Sequence, residues 1–312
     1  LGALEFKPAK GSVRESQKPL EMKSLVEAAR QVAHGNFSGD AHAQAALANI
    51  IRVGTSAGGA RAKAVIGWHP STEEIRSGQF DVPAGFEHWL LKFDGIGKDL
   101  ELGTTGDYGR IEYAYHRMAL RAGITMAPCR LLRENGRAHF MTRRFDRDNN
   151  RKHHLQSLCS LRHLDYRQRA THAYEQYFLV IRNLGLGDEA LQQAFRRMAF
   201  NVMARNCDDH TKNFGFRLPP DGKWELAPAY DVTHAHNPQG EWTAQHLMSV
   251  NGRFDDITRA DLLAVSDRFL VPSAKGLLEQ VRSAVADWPQ FAAEADLPQP
   301  RISAISTDFR LV

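Results

Sequence analysis

The chain has 312 residues, 43% of them hydrophobic and 24% charged, a balance that suits a folded globular protein of two modest domains and excludes a disordered one. Lysine and arginine exceed aspartate and glutamate by four, a mild bias towards acidic partners, and no run approaches the roughly 18 apolar residues of a membrane-crossing helix. Three cysteines, Cys129, Cys159 and Cys207, are odd in number and widely spaced, which argues against a disulfide framework or a zinc site and points to a reducing, cytoplasmic setting.

In chain order, the opening Leu1-Gly2-Ala3-Leu4-Glu5-Phe6-Lys7 has no signal-peptide core and no initiator Met, and reads as a start with residues missing or trimmed upstream. Residues 20–34 place apolar side chains at helical spacing, with Gly35 as a stop. Ile50 to Gly67 reads as strand, Gly-rich turn and second strand. His88 to Phe93 is a short apolar strand with Lys92 inside it. Gly95, Gly97, Gly103, Gly106 and Gly109 then mark a loop, and Ile111 to Ala122 a helix stopped by Gly123.

Cys129 to Phe145 predicts a hairpin about Glu134-Asn135-Gly136, because Asn-Gly supplies the two positive-φ residues of a tight turn. Beyond about residue 150 the pattern is mainly helical, at 170–184, 188–205 and through 259–290, with Thr258-Arg259-Ala260-Asp261 as a capping box. One short strand pair, Phe214-Gly215-Phe216 and Lys223-Trp224-Glu225-Leu226, interrupts the helices around Pro219-Pro220-Asp221-Gly222. The expected architecture is α+β: a strand-rich N-terminal half to residue 146 and a helix-rich half over 147–312. Nucleotide commonly binds at such a junction.

Asp208 and Asn213 carry the first chemical signal. A phosphotransferase loop needs a carboxylate beside the acceptor hydroxyl and, five residues on, an amide oxygen for Mg²⁺. Asp208 has that spacing from Asn213 and Asp209 is one short, so Asp208 is the expected base; a solvated helix-to-strand turn is the plain alternative. Asp231, in Ala227-Pro228-Ala229-Tyr230-Asp231, lies where the short hairpin returns the chain, and is either a second Mg²⁺ ligand or a turn aspartate.

Upstream, Gly54-Thr55-Ser56-Ala57-Gly58-Gly59-Ala60-Arg61-Ala62-Lys63 is a turn whose backbone N–H groups can cradle phosphate, with Lys63 adding charge. It is neither a Walker A nor a Rossmann sequence. Lys92 either faces water or reaches a phosphate, with Glu112 on the next helix as its available partner. The basic stretch Arg143 to Lys152 carries two aspartates and one aromatic, Phe145, without the aromatic interleaving of an RNA surface, the composition of a solvated face. His153-His154 and His234-Ala235-His236 have no cysteine or carboxylate at ligand spacing.

Together these segments resemble the HipA family of bacterial serine/threonine kinases, the toxin halves of toxin–antitoxin pairs. The resemblance covers most of the chain. It is carried by Asn206-x-Asp208-x-His210-x-Lys212-Asn213-Phe214 and by Ala227 to Asp231, with Ser56 to Ala64 and Arg144-Phe145-Asp146-Arg147 in agreement. It implies a two-lobed, protein-kinase-like α+β fold, with an N-lobe over 1–146 and a C-lobe over 147–312, and an ATP- and Mg²⁺-dependent protein serine/threonine kinase. In that match Asp208 is the general base, Asn213 and Asp231 ligate Mg²⁺, and His210 and Lys212 line the phosphates, with Tyr230 beside them in the nucleotide site. Lys92 matches the strand lysine on ATP, supported by Glu112. Gly58, Gly59, Ala60, Arg61, Ala62 and Lys63 match the phosphate loop, and Arg143, Arg144 and Phe145 the hinge whose backbone binds adenine.

Ser56 matches the loop serine that family members autophosphorylate, with Thr55 as an adjacent acceptor. A phosphate there brings about −1.5 to −2 charges into a loop that wraps ATP phosphates, and so switches the kinase off. The implied partners are a HipB-type helix-turn-helix antitoxin, through which alone operator DNA is reached, and a separate small protein in place of an absent N-terminal subdomain. The implied substrate is a protein such as an aminoacyl-tRNA synthetase, whose modification blocks translation; no membrane is involved. Ala62 stands where many relatives have Pro, which loosens the loop without abolishing it. Leu1 to Phe6 resembles the end of that extra subdomain, marking a short-form toxin or a fragment. Two other functions stay open: a small-molecule kinase using the same Asp208, Asn213 and Asp231, and a catalytically silent co-repressor.

Overall fold

The computed structural model describes residues 2–3, 19–34, 62–95 and 106–312. Thr55, Ser56, Gly58, Gly59, Ala60 and Arg61 therefore lie outside the described residues. The chain forms two compact units, one of Leu1–Gly109 with Pro128–His154, the other of Arg110–Ala127 with Leu155–Val312. It passes between them at Gly109, Ala127 and His154 rather than once near residue 146. The helix after Gly109 belongs to the second unit because Ile111, Ala114, Tyr115 and Met118 are buried in that unit's core.

The first unit opens with α1 (Met22–His34), whose Leu25, Val26, Ala28 and Ala29 are buried on one face, as the apolar spacing predicts. Its sheet comprises β1 (Lys63–Trp68), β2 (Ile75–Ser77), β3 (Glu87–Lys92), β4 (Cys129–Glu134) and β5 (Arg137–Arg143). All pairings are antiparallel, in the order β2-β1-β3-β5-β4. Ala64, Ile66, Trp68, Trp89, Leu91 and Met141 close the core with the α1 face. The Asn135-Gly136 turn has the two positive φ angles that its sequence demands, 45° and 77°. β2 has only three residues, too short for a period to show in the sequence; the register with β1 makes it a strand.

Gly109 is not in a loop, as the glycine spacing predicts, but in the first turn of α2 (Tyr108–Arg121). A Cβ there would stand 2.0 Å from the Ala138 carbonyl oxygen, so only glycine lets the helix start this close to β5. The buried Asp94 carboxylate accepts the Asp107 N–H at 3.0 Å and the Gly109 N–H at 3.5 Å, satisfying donors at that helix start.

In the second unit, β8 (His154–Ser157) follows a two-residue ribbon, β6 (Arg147–Asp148) with β7 (Arg151–Lys152), that ends the first. Then come α3 (Leu158–Leu161), β9 (His172–Ala173), α4 (Tyr174–Asn183) and α5 (Gly187–Met203). The predicted short hairpin is β10 (Gly215–Leu218) with β11 (Glu225–Leu226), and β8 joins β10 on its other edge. β12 (Met248–Ser249) pairs in parallel with β9, Met248 opposite His172 and Ser249 opposite Ala173. α6 (Arg259–Arg268), α7 (Ala274–Ala286), α8 (Trp288–Glu294) and α9 (Gln299–Asp308) complete the unit.

The Thr258–Asp261 capping box forms as predicted, with the Asp261 N–H on Thr258 Oγ1 and the Thr258 N–H on Asp261 Oδ2. The core is aromatic, built on Tyr115, Tyr177, Phe178, Phe195, Phe200 and Trp288, all fully buried. α5 is buried along almost its whole C-terminal half, which gives the loop after it a rigid stem. No helix among the described residues is long and apolar enough to cross a membrane.

Candidate active site

The loop that follows α5 is set by backbone bonds before any side chain acts. Arg205 turns the chain in a left-handed conformation, with φ of 53°. The Asn206 N–H then reaches back to the Asn201 carbonyl at 3.0 Å. The Cys207 N–H donates to the Ala235 carbonyl and the Ala235 N–H to the Arg205 carbonyl, at 3.0 and 3.2 Å. This isolated parallel bridge ties the loop to the segment just beyond Asp231.

The two adjacent aspartates have opposite surroundings. Asp209 is 1% exposed. Its Oδ2 accepts the Tyr174 hydroxyl at 2.7 Å and pairs with His246 Nδ1 at 2.9 Å, while its Oδ1 accepts the Leu247 N–H at 2.7 Å. Burial alone lowers the pKa of the His246 imidazole, but Cys207 and Asp209 outweigh it and push it up to about 10. Tyr174 also receives the Asn201 amide, which in turn accepts from Asn206 Nδ2, so one buried chain of hydrogen bonds runs through the base of the loop. Asp208, by contrast, keeps half of its side chain exposed (49%), with His210 Nε2 at 3.7 Å. A carboxylate that must meet an acceptor hydroxyl needs that access, and Asp209 does not have it.

Asn213 closes a 3₁₀ turn over Thr211–Asn213 and donates its Nδ2 to the Asp208 carbonyl at 2.9 Å. That bond identifies the nitrogen and turns the amide oxygen the other way. Asp231 has a left-handed backbone, φ 52°, a strained conformation for a non-glycine residue of the kind that collects at functional sites. It is positioned from both sides: the Ala227 N–H donates to Gly215, the Ala229 N–H to Thr125, and the Tyr230 hydroxyl to the Lys212 carbonyl at 2.7 Å. Tyr230 thus braces the loop through its hydroxyl, and burial pushes its pKa up.

Asn213 and Asp231 line one small pocket within the second unit, together with Arg197, Asn201, Asn206 and Asp209. Two hard oxygen donors suit Mg²⁺, which keeps most of its shell for water and phosphate. The donor chemistry therefore fits that ion. No three His, Cys, Asp or Glu side chains among the described residues gather as a metal-binding group. Asn206 Oδ1 and Arg197 Nε are buried without a hydrogen-bond partner among the described residues.

The expected phosphate-lining residues His210 and Lys212 share a support that the sequence does not advertise. The Lys212 ammonium lies 3.5 Å from the centre of the Tyr166 ring, a cation–π contact, and the His210 ring meets the same ring edge-on at 5.5 Å.

In the first unit, Lys63 and Lys92 stand directly opposite each other in the β1–β3 ladder, both buried. Lys92 also lies over the Phe140 ring at 5.7 Å, and Ala62 accepts the Phe93 N–H. At the expected hinge, the N–H groups of Arg143 and Arg144 already donate to Pro128 and His88, at 2.8 and 2.9 Å. An adenine there would have to use the carbonyls or Phe145. Arg144 grips Asp146 with two bonds of 2.9 and 2.8 Å, and Gly2 donates its N–H to the same carboxylate. Burial alone would raise Asp146, but these partners hold its carboxyl below the usual range. Glu112 is buried on α2 in the second unit.

Sequence reasoning missed Tyr174, His246 and Tyr166, which lie 35, 37 and 44 residues from the atoms they touch and in no motif. It also found no carboxylate for His234-Ala235-His236. The fold brings one from the C-terminus: Asp308 Oδ2 lies 2.8 Å from His234 Nε2 and 3.2 Å from His236 Nδ1.

A family model for the HipA-like C-terminal domain matches residues 55–289. Among solved structures the chain is similar to HipA of the Shewanella oneidensis MR-1 toxin–antitoxin system, solved with HipB and its operator DNA. The TM-score is 0.65 and the identity 18%, over 98% of this chain and 73% of that one. The likeness shows the fold, α+β and kinase-like. The proinflammatory kinase CtkA of Helicobacter pylori is more distant, with a TM-score of 0.43 and 14% identity over 71% of this chain and 90% of that one. Comparison with curated protein sequences finds no match.

Proposed function

The chain belongs to the HipA-like C-terminal domain family, and on that premise we propose that it is an ATP- and Mg²⁺-dependent protein serine/threonine kinase, the toxin of a toxin–antitoxin module. The observation that carries this reading is the contrast within Asp208-Asp209: one carboxylate is buried under three donors, and its neighbour is exposed beside an asparagine tied to its own carbonyl. Asp208 accepts the proton of the acceptor hydroxyl as the hydroxyl oxygen attacks the γ-phosphorus and the bond from that phosphorus to the β,γ-bridging oxygen breaks, releasing ADP. Asn213 Oδ1 and Asp231 would hold Mg²⁺, which would supply positive charge against the phosphates. Lys63, Lys92, His210 and Lys212 supply cationic or donor groups to the phosphates.

The protein's partners in this reading are a HipB-type antitoxin, which brings it to operator DNA, and a separate small protein resembling the N-terminal subdomain of longer HipA-family members. Its substrate is a cytoplasmic protein such as an aminoacyl-tRNA synthetase. Autophosphorylation at Ser56 or Thr55 switches it off. The test is incubation with labelled ATP and Mg²⁺, followed by mass spectrometry of the protein and of lysate proteins. Phosphate on Ser56 or Thr55 and on a lysate protein, absent with Asp208→Asn, supports the reading. Equal labelling by the two proteins, or none by wild type, ends it. Inducible expression should also arrest growth; a kinase acting on a metabolite should not.

A further inference from the structure

His246 lies outside every motif in the sequence, yet it touches both neighbours of the proposed base. Its Nδ1 is 2.9 Å from Asp209 Oδ2, and its Nε2 is 3.9 Å from the Cys207 sulfur. The imidazole and the Asp209 carboxylate are both about 1% exposed, and Cys207 is fully buried. Asp208 stands between these two gripped residues with its own side chain half in solvent. Resting on the kinase reading above, we propose that His246 is a positioning residue for phosphoryl transfer, which fixes the Asp208 peptide from beneath by holding Cys207 and Asp209.

The fold delivers His246 to that place by strand pairing. β12 begins two residues after His246, and β9 ends directly before Tyr174. Their pairing ties the segment that carries His246 and Leu247 to the one that carries Tyr174, and all three reach one carboxylate. Among the three donors to Asp209, His246 is the one that can carry a positive charge. It thereby compensates a buried carboxylate that would otherwise strain the loop or draw water into it. The segment from Asp231 to His246 has the Mg²⁺ ligand at one end and the clamp on the base at the other. A displacement of His246 thus disturbs the acceptor side of the site without touching nucleotide.

Two substitutions separate the two grips. Asn at 246 can present its amide where Nδ1 meets Asp209, whereas Gln can present its amide only where Nε2 meets Cys207. In the full chain, His246→Gln should lower kcat about 100-fold, the typical effect of a 1 Å misplacement, with KM for ATP changed less than about threefold. His246→Asn should recover at least about tenfold of that loss. A Gln variant with wild-type kcat, or Asn and Gln variants that lose activity alike, overturns the proposal and leaves His246 a packing residue. Should the wild-type protein transfer no phosphate, the kinase reading fails separately. Amide hydrogen exchange over 206–213 still decides the clamp: faster exchange in the Gln than in the Asn variant supports it, and equal exchange overturns it.

Discussion

In the first compact unit, Lys63 and Lys92 face each other because two strands pair, and six consecutive register partners fix that pairing. In the second, Asp208 is placed by Tyr174 of α4 and His246 before β12, which converge on its neighbour Asp209, with Asn201 of α5 donating to Tyr174. The lysines are positioned by backbone that survives the loss of any one of them. The aspartate loop is positioned by groups that satisfy one another, so the loss of one leaves the rest buried and unpaired. The two sets of residues should therefore fail differently.

The largest expected effect is at the metal. Asp231→Asn should lower phosphoryl transfer by about a thousandfold or more, since the charge set against the phosphates is a major part of such catalysis, while circular dichroism and melting stay near wild type. Next, Asp209→Ala should destabilise the protein by about 3–5 kcal/mol in urea unfolding, because it strands the buried His246 charge and the Tyr174 hydroxyl. Lys92→Met should weaken ATP use with a smaller change in stability. Equal stability losses in the two variants would erase the contrast between the units.

A pH series sharpens the comparison further. The folded protein holds His246 up at about 10, above the ordinary imidazole value near 6.5. Its contribution is therefore complete below about pH 6.5 and declines as pH rises through the interval to about 10. Cys207 and Asp209 face the ring directly, and Asp255 feels its charge. Urea unfolding should thus show a steeper loss of stability from pH 7 to 10 in wild type than in His246→Asn. The smallest effect belongs to Tyr166→Leu. Losing a half-buried cation–π contact of about 0.5–1 kcal/mol should raise KM for ATP about two- to fivefold.

The first unit was the more legible in sequence, because its signals are local. Asn135-Gly136 specifies its turn and the spacing of Leu25, Val26, Ala28 and Ala29 specifies a helix face, whereas β3 buries both Leu91 and Lys92 without alternation, so its apolar run alone leaves the side of Lys92 open. In the second unit the sequence marks the candidate residues but not their support. The five-residue spacing to Asn213 selects Asp208 over Asp209, yet the physical reason for that choice lies in Tyr174, His246 and Leu247, which no local pattern marks. Tyr166 is hidden in the polar run Arg162-His163-Leu164-Asp165-Tyr166-Arg167, which reads as a solvated loop. Gly109 reads as one more loop glycine, since its need comes from Ala138 on a strand that the chain has yet to make.

The most direct measurement compares Asp208→Asn with wild type in single-turnover phosphoryl transfer from ATP and Mg²⁺, alongside nucleotide binding by calorimetry. The account predicts that Asp208→Asn binds ATP within about threefold of wild type and transfers phosphate at least about a hundredfold more slowly, the lower end for loss of a general base. Transfer at the wild-type rate by Asp208→Asn would contradict it.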